Sequence, residues 1–65
     1  MVILIWEARD KQKITLSQLS KMTGISTSAL DDYENSIRFP RIDKLERIAK
    51  ALECRITDLF ESEYK

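Results

Sequence analysis

The sequence predicts an all-α fold, a compact five-helix bundle formed by a single domain over residues 1–65. Apolar residues recur at spacings of three and four along most of the chain, which is the periodicity of helices that pack on a core. Gly24 and Pro40 are the only glycine and the only proline, so strong turn signals divide the chain at two places. No linker, repeat or biased tract separates the resulting parts.

The first predicted helix covers about residues 3–11, with Ile5 and Ala8 facing inward. Its apolar beginning, residues 2–6, alternatively starts as a short strand, because β-branched side chains favour pleated structure. These five residues are far fewer than the roughly 20 that a membrane-spanning helix needs. With no export signal and a single cysteine, the chain is expected to be cytoplasmic and not to contact a membrane.

The second helix is predicted to begin at a capping box. Thr15 accepts from the backbone N–H of Gln18, and the Gln18 side chain reaches back to the backbone of Thr15. Gly24 ends the helix, because a helix exit often requires the left-handed conformation that glycine adopts most easily. The apolar stripe of this helix is expected to be Leu16, Leu19 and Met22.

The third helix is predicted to begin after Ser26, whose hydroxyl can cap the first turn. Leu30 and Tyr33 form its inner face. The helix closes at Asn35 and Ser36, where either Asn35 takes the left-handed conformation or Ser36 is mildly strained.

A fourth helix follows Pro40, and a short fifth helix is expected to open at Ile56 or Thr57. Its apolar residues are Leu59 and Phe60. The spacing of three and four again indicates the inner face of the fourth helix, which consists of Ile42, Leu45, Ile48, Ala49 and Leu52.

Composition argues against catalysis and metal binding. The chain has no histidine and one cysteine, which excludes a disulfide framework and a Cys/His zinc site. The usual general base near neutral pH is therefore absent, and 65 residues leave little room for a water-excluding pocket. We expect no enzymatic activity, no small-molecule substrate and no cofactor.

The charge is balanced overall but uneven along the chain. Eleven Lys and Arg face eleven Asp and Glu, whereas nucleic-acid-binding domains are usually basic. Residues 36–55 nevertheless carry six basic and three acidic side chains, a local net charge of +3. Residues 56–65 carry a local net charge of −2. The basic segment favours a nucleic-acid partner, and the acidic end is expected to lie away from phosphates.

Two short helices joined by residues 24–26 make a helix-turn-helix. The segment from residue 14 to residue 60 resembles the DNA-binding domain of the Cro and phage-repressor family (lambda-repressor-like, XRE). The resemblance implies a bundle of five helices that binds operator DNA and regulates transcription, usually as a repressor. The matching residues are Arg9, Leu19-Ser20, Gly24-Ile25-Ser26, Leu30, Tyr33-Glu34, Pro40, Leu45, Ile48-Ala49-Lys50-Ala51-Leu52 and Asp58-Leu59-Phe60.

In a helix-turn-helix, the N-terminal residues of the second helix contact base edges in the major groove. The face opposite the core carries four candidate base-reading residues: Thr27, Ser28, Asp31 and Asp32. Candidate phosphate contacts are Thr15, Ser26, Asn35, Arg38 and Arg41. The resemblance further implies a structural pair between Arg9 and Glu34.

Asp31 and Asp32 depart from a typical DNA-reading face, because carboxylates repel phosphates. They can accept hydrogen bonds from cytosine N4, or reject wrong sites, or indicate that this surface does not bind DNA. Two functions therefore stay open. The favoured one is a sequence-specific regulator of transcription that binds double-stranded DNA. The alternative is an antitoxin-like or antirepressor protein-interaction module on the same fold.

A homodimer is expected on a palindromic operator, because one recognition helix covers only a few base pairs. The predicted interface lies in residues 52–64, at Leu52, Ile56, Phe60 and Tyr64, with residues 2–6 as a possible addition.

Overall fold

The computed structural model describes all residues, 1–65, and contains four α-helices rather than five. They are α1 (Ile5–Lys11), α2 (Leu16–Thr23), α3 (Thr27–Glu34) and α4 (Ile42–Ala51). The predicted fifth helix is a single 3-10 turn, Ile56–Leu59. This turn does not continue into an α-helix, because the next residue, Phe60, has an extended backbone with φ −153° and ψ 158°. The all-α prediction is therefore correct for most of the chain and wrong at both ends.

The two ends of the chain form a small antiparallel sheet. Strand β1 (Val2–Ile3) pairs with strand β2 (Phe60–Glu61), and Ile3 lies opposite Phe60. The backbone N–H of Leu4 also donates to the carbonyl of Leu59 at 2.8 Å. The first helix accordingly begins at Ile5 rather than at residue 3, and the alternative prediction of a short initial strand is the one the structure adopts.

All four helices, the 3-10 turn and β1 contribute to one apolar core. Its fully buried side chains are Ile5, Leu19, Leu30, Ile48, Leu52 and Leu59. The predicted stripe of α2 is wrong at Met22, which is half exposed, because Thr23 faces the core instead. A threonine can be buried there because its hydroxyl donates to the Leu19 carbonyl at 2.8 Å. Ile42 is also exposed, at the first turn of α4.

Three of the helices end in Schellman motifs without glycine. At the end of α3, the N–H of Ser36 donates to the Tyr33 carbonyl, and the N–H of Ile37 donates to the Asp32 carbonyl. Ser36, with φ 58°, takes the left-handed conformation, and Asn35 does not. Lys13 and Glu53 hold the same position after α1 and α4, with φ 58° and 53°.

No helix is both long and apolar enough to span a membrane.

Candidate nucleic-acid interface

Helices α2 and α3 and the turn between them form the helix-turn-helix. Thr15 and Gln18 make the predicted capping box: Thr15 Oγ1 accepts from the Gln18 N–H at 3.1 Å, and Gln18 Oε1 accepts from the Thr15 N–H at 2.8 Å. The backbone N–H groups of Leu16 and Ser17 have no partner within the chain. They point out of the positive end of α2, which suits a phosphate.

The turn is fixed by hydroxyl groups as well as by Gly24. Gly24 adopts the left-handed conformation, with φ 74°. The Ser20 hydroxyl donates to the Ile25 carbonyl at 2.6 Å, and the Thr23 hydroxyl accepts from the Ile25 N–H at 3.2 Å. Ile25 itself is buried in the core. The angle between the two helices is thus set by contacts on both sides of the turn.

Sequence reasoning gave Ser20 only as one of the residues that match the family and did not single out Thr23. The signal that was available is the pair of hydroxyl residues in the last turn of α2, immediately before Gly24. Such residues often hydrogen-bond to nearby backbone groups.

The recognition helix, α3, begins as predicted at Ser26, whose Oγ accepts from the Ala29 N–H at 3.1 Å. Thr27 and Ser28 are exposed, and their backbone N–H groups have no partner within the chain. Leu30 and Tyr33 are buried against the core. The first turn of α3 therefore presents two hydroxyls and two N–H groups to the exterior.

A largely buried ion pair ties α1 to the end of α3. Arg9 Nε and Nη2 donate to the two carboxylate oxygens of Glu34, both at 3.0 Å. Arg9 Nη1 donates to the Ile14 carbonyl at 3.0 Å. The side chains are 15% and 9% exposed, respectively. This pair fixes the C-terminal end of α3 against α1.

The two aspartates of α3 also have partners within the chain. Asp32 Oδ2 accepts from Arg38 Nε at 3.0 Å. Asp31 accepts from the Asn35 side-chain amide, at its carbonyl oxygen (3.0 Å) and its Oδ1 (3.2 Å). Asn35, proposed for phosphate contact, thus has its amide engaged, and Arg38 is bound to a residue of the proposed reading face.

Arg41 is the N-cap residue of α4, and its side chain is 86% exposed. Its one ionic neighbour is Asp43, at 3.8 Å, on an equally open surface. Exposed ion pairs at this distance contribute little to stability, so the Arg41 guanidinium is available to an external anion.

The four residues predicted for the dimer interface do not share one surface. Leu52 is fully buried in the core of the single chain, so its side chain is not available to a second copy. Leu52 is therefore excluded from the dimer interface, because it packs in the core at the end of α4, one turn after Ile48. Ile56 and Phe60 are partly buried against the core, and Tyr64 is 89% exposed.

These features are those of a helix-turn-helix DNA-binding protein: a short helix pair with a rigid turn, an exposed first turn on the second helix, and outward N–H groups on both. The chain matches the helix-turn-helix family over residues 7–59, and it belongs to this family, in its XRE-like branch. It is also 41% identical over 59 residues to the SPbeta prophage-derived uncharacterized HTH-type transcriptional regulator YopS of Bacillus subtilis (strain 168). That alignment covers 89% of this chain and 80% of the relative.

Proposed function

We propose that this chain is a sequence-specific regulator of transcription that binds double-stranded DNA and acts as a homodimeric repressor on a palindromic operator. The observation that carries the proposal is the exposed first turn of α3, where Thr27 and Ser28 stand on a helix held at both ends. Membership of the helix-turn-helix family supports DNA binding, and the similarity to a transcriptional regulator of Bacillus subtilis supports transcription control. The proposed activity is binding, with no catalytic step.

In this proposal, α3 enters the major groove and its first turn reads bases. Thr27 and Ser28 contact base edges through their hydroxyls, which can donate or accept. Asp31 is on the same exposed side of the helix, and its carboxylate, already accepting from Asn35, adds an acceptor for cytosine N4.

Phosphates are held on both sides of the recognition helix. The free N–H groups beside Thr15 and Ser26 bind through the positive ends of α2 and α3. Arg41 binds through its exposed guanidinium. Asn35 remains a proposed phosphate contact, although its side-chain amide already donates to Asp31. These contacts fix the register of the protein on DNA and carry no sequence information themselves.

The salt dependence of binding tests this arrangement. Each neutralised phosphate releases roughly 0.9 counterion, so Arg41→Ala should lower the slope of log K against log salt by about one. Affinity should fall alike for all DNA sequences. Lys11→Ala removes the same charge from a different surface, lined by Leu4, Cys54 and Asp58, and should leave the slope unchanged. Equal slopes for wild type and Arg41→Ala would refute the assignment of Arg41.

The proposed dimer forms where the chain ends meet. The β1–β2 pairing brings Met1 and Val2 next to the C-terminal segment, and a shallow groove lies between them and Tyr64. Val2 and Tyr64 line this groove and are exposed, and Trp6 is an exposed apolar side chain in the first turn of α1. A two-fold dimer on DNA places its recognition helices about 34 Å apart, one turn of B-DNA.

Tyr64→Asp is the cleanest disruption of this interface, because Tyr64 contributes nothing to the core. Ile56→Asp and Phe60→Asp are also expected to destabilise the fold, because both side chains are partly buried against the core. The matched control is Phe39→Asp, at an exposed aromatic residue in the loop beside Arg38. Sedimentation should show a wild-type dimer, a monomeric Tyr64→Asp variant and a dimeric Phe39→Asp variant. A wild-type monomer that binds one half-site with full affinity would refute the dimer.

A protein-interaction module on the same fold is the second candidate. It is favoured by the zero net charge and by the exposed carboxylate of Asp31. Gel shifts of the wild-type chain against its own promoter region, at several salt concentrations, separate the two functions. Binding with a steep salt dependence supports the DNA-binding regulator, and no shift at about 50 mM salt, where phosphate contacts are strongest, supports the second candidate.

A further inference from the structure

We propose that Asp32 and Arg38 act as one reading unit, in which Asp32 positions the guanidinium of Arg38 to bind the O6 and N7 acceptors of a guanine. The inference rests on the proposed function, because it requires α3 to lie in the major groove. It changes the roles expected from sequence, where Asp32 reads a base and Arg38 binds a phosphate.

Asp32 holds Arg38 at both its main chain and its side chain. The Asp32 carbonyl accepts from the backbone N–H groups of Ile37 and Arg38, at 2.9 and 3.3 Å. The Asp32 carboxylate accepts from Arg38 Nε at 3.0 Å. The guanidinium carbon also lies 5.9 Å from the ring centroid of Tyr33, which is buried in the core. The two backbone hydrogen bonds therefore hold the main chain at Arg38, and the contacts with the Asp32 carboxylate and the Tyr33 ring restrict its side chain.

The two Nη groups of Arg38 remain free to donate hydrogen bonds to a base edge. The hydrogen bond to Asp32 uses only Nε, and neither Nη nitrogen has a partner within the chain. The Arg38 side chain is 58% exposed and that of Asp32 is 32% exposed, so the pair lies at the surface. Two Nη groups in one plane match the paired acceptors of guanine, which is the commonest specific contact in DNA recognition.

The position of the pair also places it over the bases. Asp32 follows Ser28 by one helical turn, so the two residues share a face of α3. The N-terminal part of that face is the part that meets base edges in a helix-turn-helix. A guanidinium bound to Asp32 extends this reading face towards the C-terminal end of the helix.

The charge of the pair favours a guanine over a phosphate. The Asp32 carboxylate neutralises the guanidinium and repels an approaching phosphate, whereas guanine O6 and N7 are uncharged acceptors. Arg41, whose neighbour Asp43 is 3.8 Å away and exposed, keeps its charge for a phosphate. The two arginines are therefore expected to have different roles. Arg38 contributes to base preference, and Arg41 contributes to the salt dependence of DNA binding.

Selection of binding sites from a random duplex library tests the unit. The wild-type motif should contain a guanine in each half-site whose preference falls by roughly 5- to 150-fold in both Arg38→Ala and Asp32→Ala, the range of one bidentate base contact. The double variant should lose no more than either single variant, because the two residues act on one contact. Replacing that guanine by 7-deazaguanine should weaken wild-type binding and leave Arg38→Ala unaffected.

Three controls separate positioning from general damage. Asp32→Asn keeps an oxygen for Arg38 and should retain part of the guanine preference. Asp43→Ala removes a carboxylate from the exposed pair with Arg41 and should leave the motif unchanged. Circular dichroism should show all variants folded, since both side chains lie at the surface. The salt slope should be unchanged in Arg38→Ala and lower by about one in Arg41→Ala.

Several results overturn the proposal. An Arg38→Ala variant with the wild-type motif and a reduced salt slope makes Arg38 a phosphate contact. Changes at two different base pairs in Asp32→Ala and Arg38→Ala make Asp32 an independent reader. In both cases DNA binding by the wild type stands, so the proposed function survives. A wild-type chain that binds no duplex at low salt refutes the proposed function and this unit together.

Discussion

Removing Arg9 should destabilise the fold more than any other loss of a single charge. Arg9→Met leaves the Glu34 carboxylate, only 9% exposed, without either of its two hydrogen bonds from the guanidinium. It also removes the donor to the Ile14 carbonyl. Breaking a buried ion pair by removing one partner costs about 3–5 kcal/mol, because the remaining charge stays buried and uncompensated.

That loss is comparable to the whole stability of a chain this size. At about 0.05–0.15 kcal/mol per residue, 65 residues have a free energy of unfolding of roughly 3–10 kcal/mol. With a urea m-value of about 1 kcal/mol/M for a small domain, a loss of about 3 kcal/mol moves the unfolding midpoint by about 3 M. A protein near the lower end of the range is then largely unfolded without denaturant.

The measurement is urea unfolding followed by far-ultraviolet circular dichroism. Arg47→Met, on an exposed arginine without an ion-pair partner, should stay within about 0.5 kcal/mol of wild type. The double variant Arg9→Met, Glu34→Leu should recover much of the loss, because apolar side chains can replace a buried pair at little cost. A midpoint that scarcely moves in Arg9→Met would show that Glu34 is solvated and that the pair contributes as little as an exposed one.

Three further predictions concern single positions. Ser36→Gly should raise the free energy of unfolding by up to about 1.5 kcal/mol, since it relieves about 1–2 kcal/mol of left-handed strain and costs about 0.5–1 kcal/mol of added chain entropy. A lower melting temperature would contradict this prediction. Gly24→Ala should cost about 1 kcal/mol from backbone strain alone, because an added Cβ meets nothing within 4 Å, and Gly24→Asn should cost less; equal losses in chemical denaturation would refute this reasoning. Burial, and then the Asp58 carboxylate, raises the pKa of the Cys54 thiol above its ordinary value of 9.0, so the folded chain keeps a proton that the unfolded chain loses. Stability should therefore fall as pH rises above about 9, and Cys54→Ala should remove that part of the pH dependence in parallel melts.

The helix boundaries were predictable where one residue and its near neighbours decide them. The capping box of Thr15 and Gln18, the cap at Ser26 and the left-handed Gly24 all formed as expected. Each depends on residues at most three positions apart, so local chemistry is sufficient. The Arg9–Glu34 pair, in contrast, joins residues 25 positions apart, and only the family resemblance suggested it.

The errors arise where the outcome depends on a distant partner or on a loop. Strand β1 forms because residues 60–61 lie beside it, and no local pattern reveals that pairing. Leu52 was predicted both for the inner face of the fourth helix and for the dimer interface, and its full burial agrees only with the first. Asp32 was predicted to read a base and Arg38 to bind a phosphate, but their contact with each other was not predicted. That contact requires the Schellman turn that brings the loop back over α3.

The contacts of α3 explain why a small domain keeps several polar groups inside or near its core. Ser20 fixes the turn before α3, Leu30 anchors its middle in the core, and Glu34 ties its end to Arg9. The recognition helix is therefore held at three points by three different parts of the chain.

Ordering a binding surface during association costs affinity, and a surface ordered in advance avoids that cost. An apolar replacement for the ion pair is expected to recover much of its contribution to stability, so stability alone does not account for the pair. The buried pair adds a fixed direction, because its two parallel hydrogen bonds allow one relative orientation of α1 and α3. The distance between the N–H groups at the start of α2 and the hydroxyls of Thr27 and Ser28 is set by the turn that Ser20 and Thr23 hold. On the proposed function these groups must reach one phosphate and one base edge at the same time, so the turn and the ion pair together orient the surface that meets DNA.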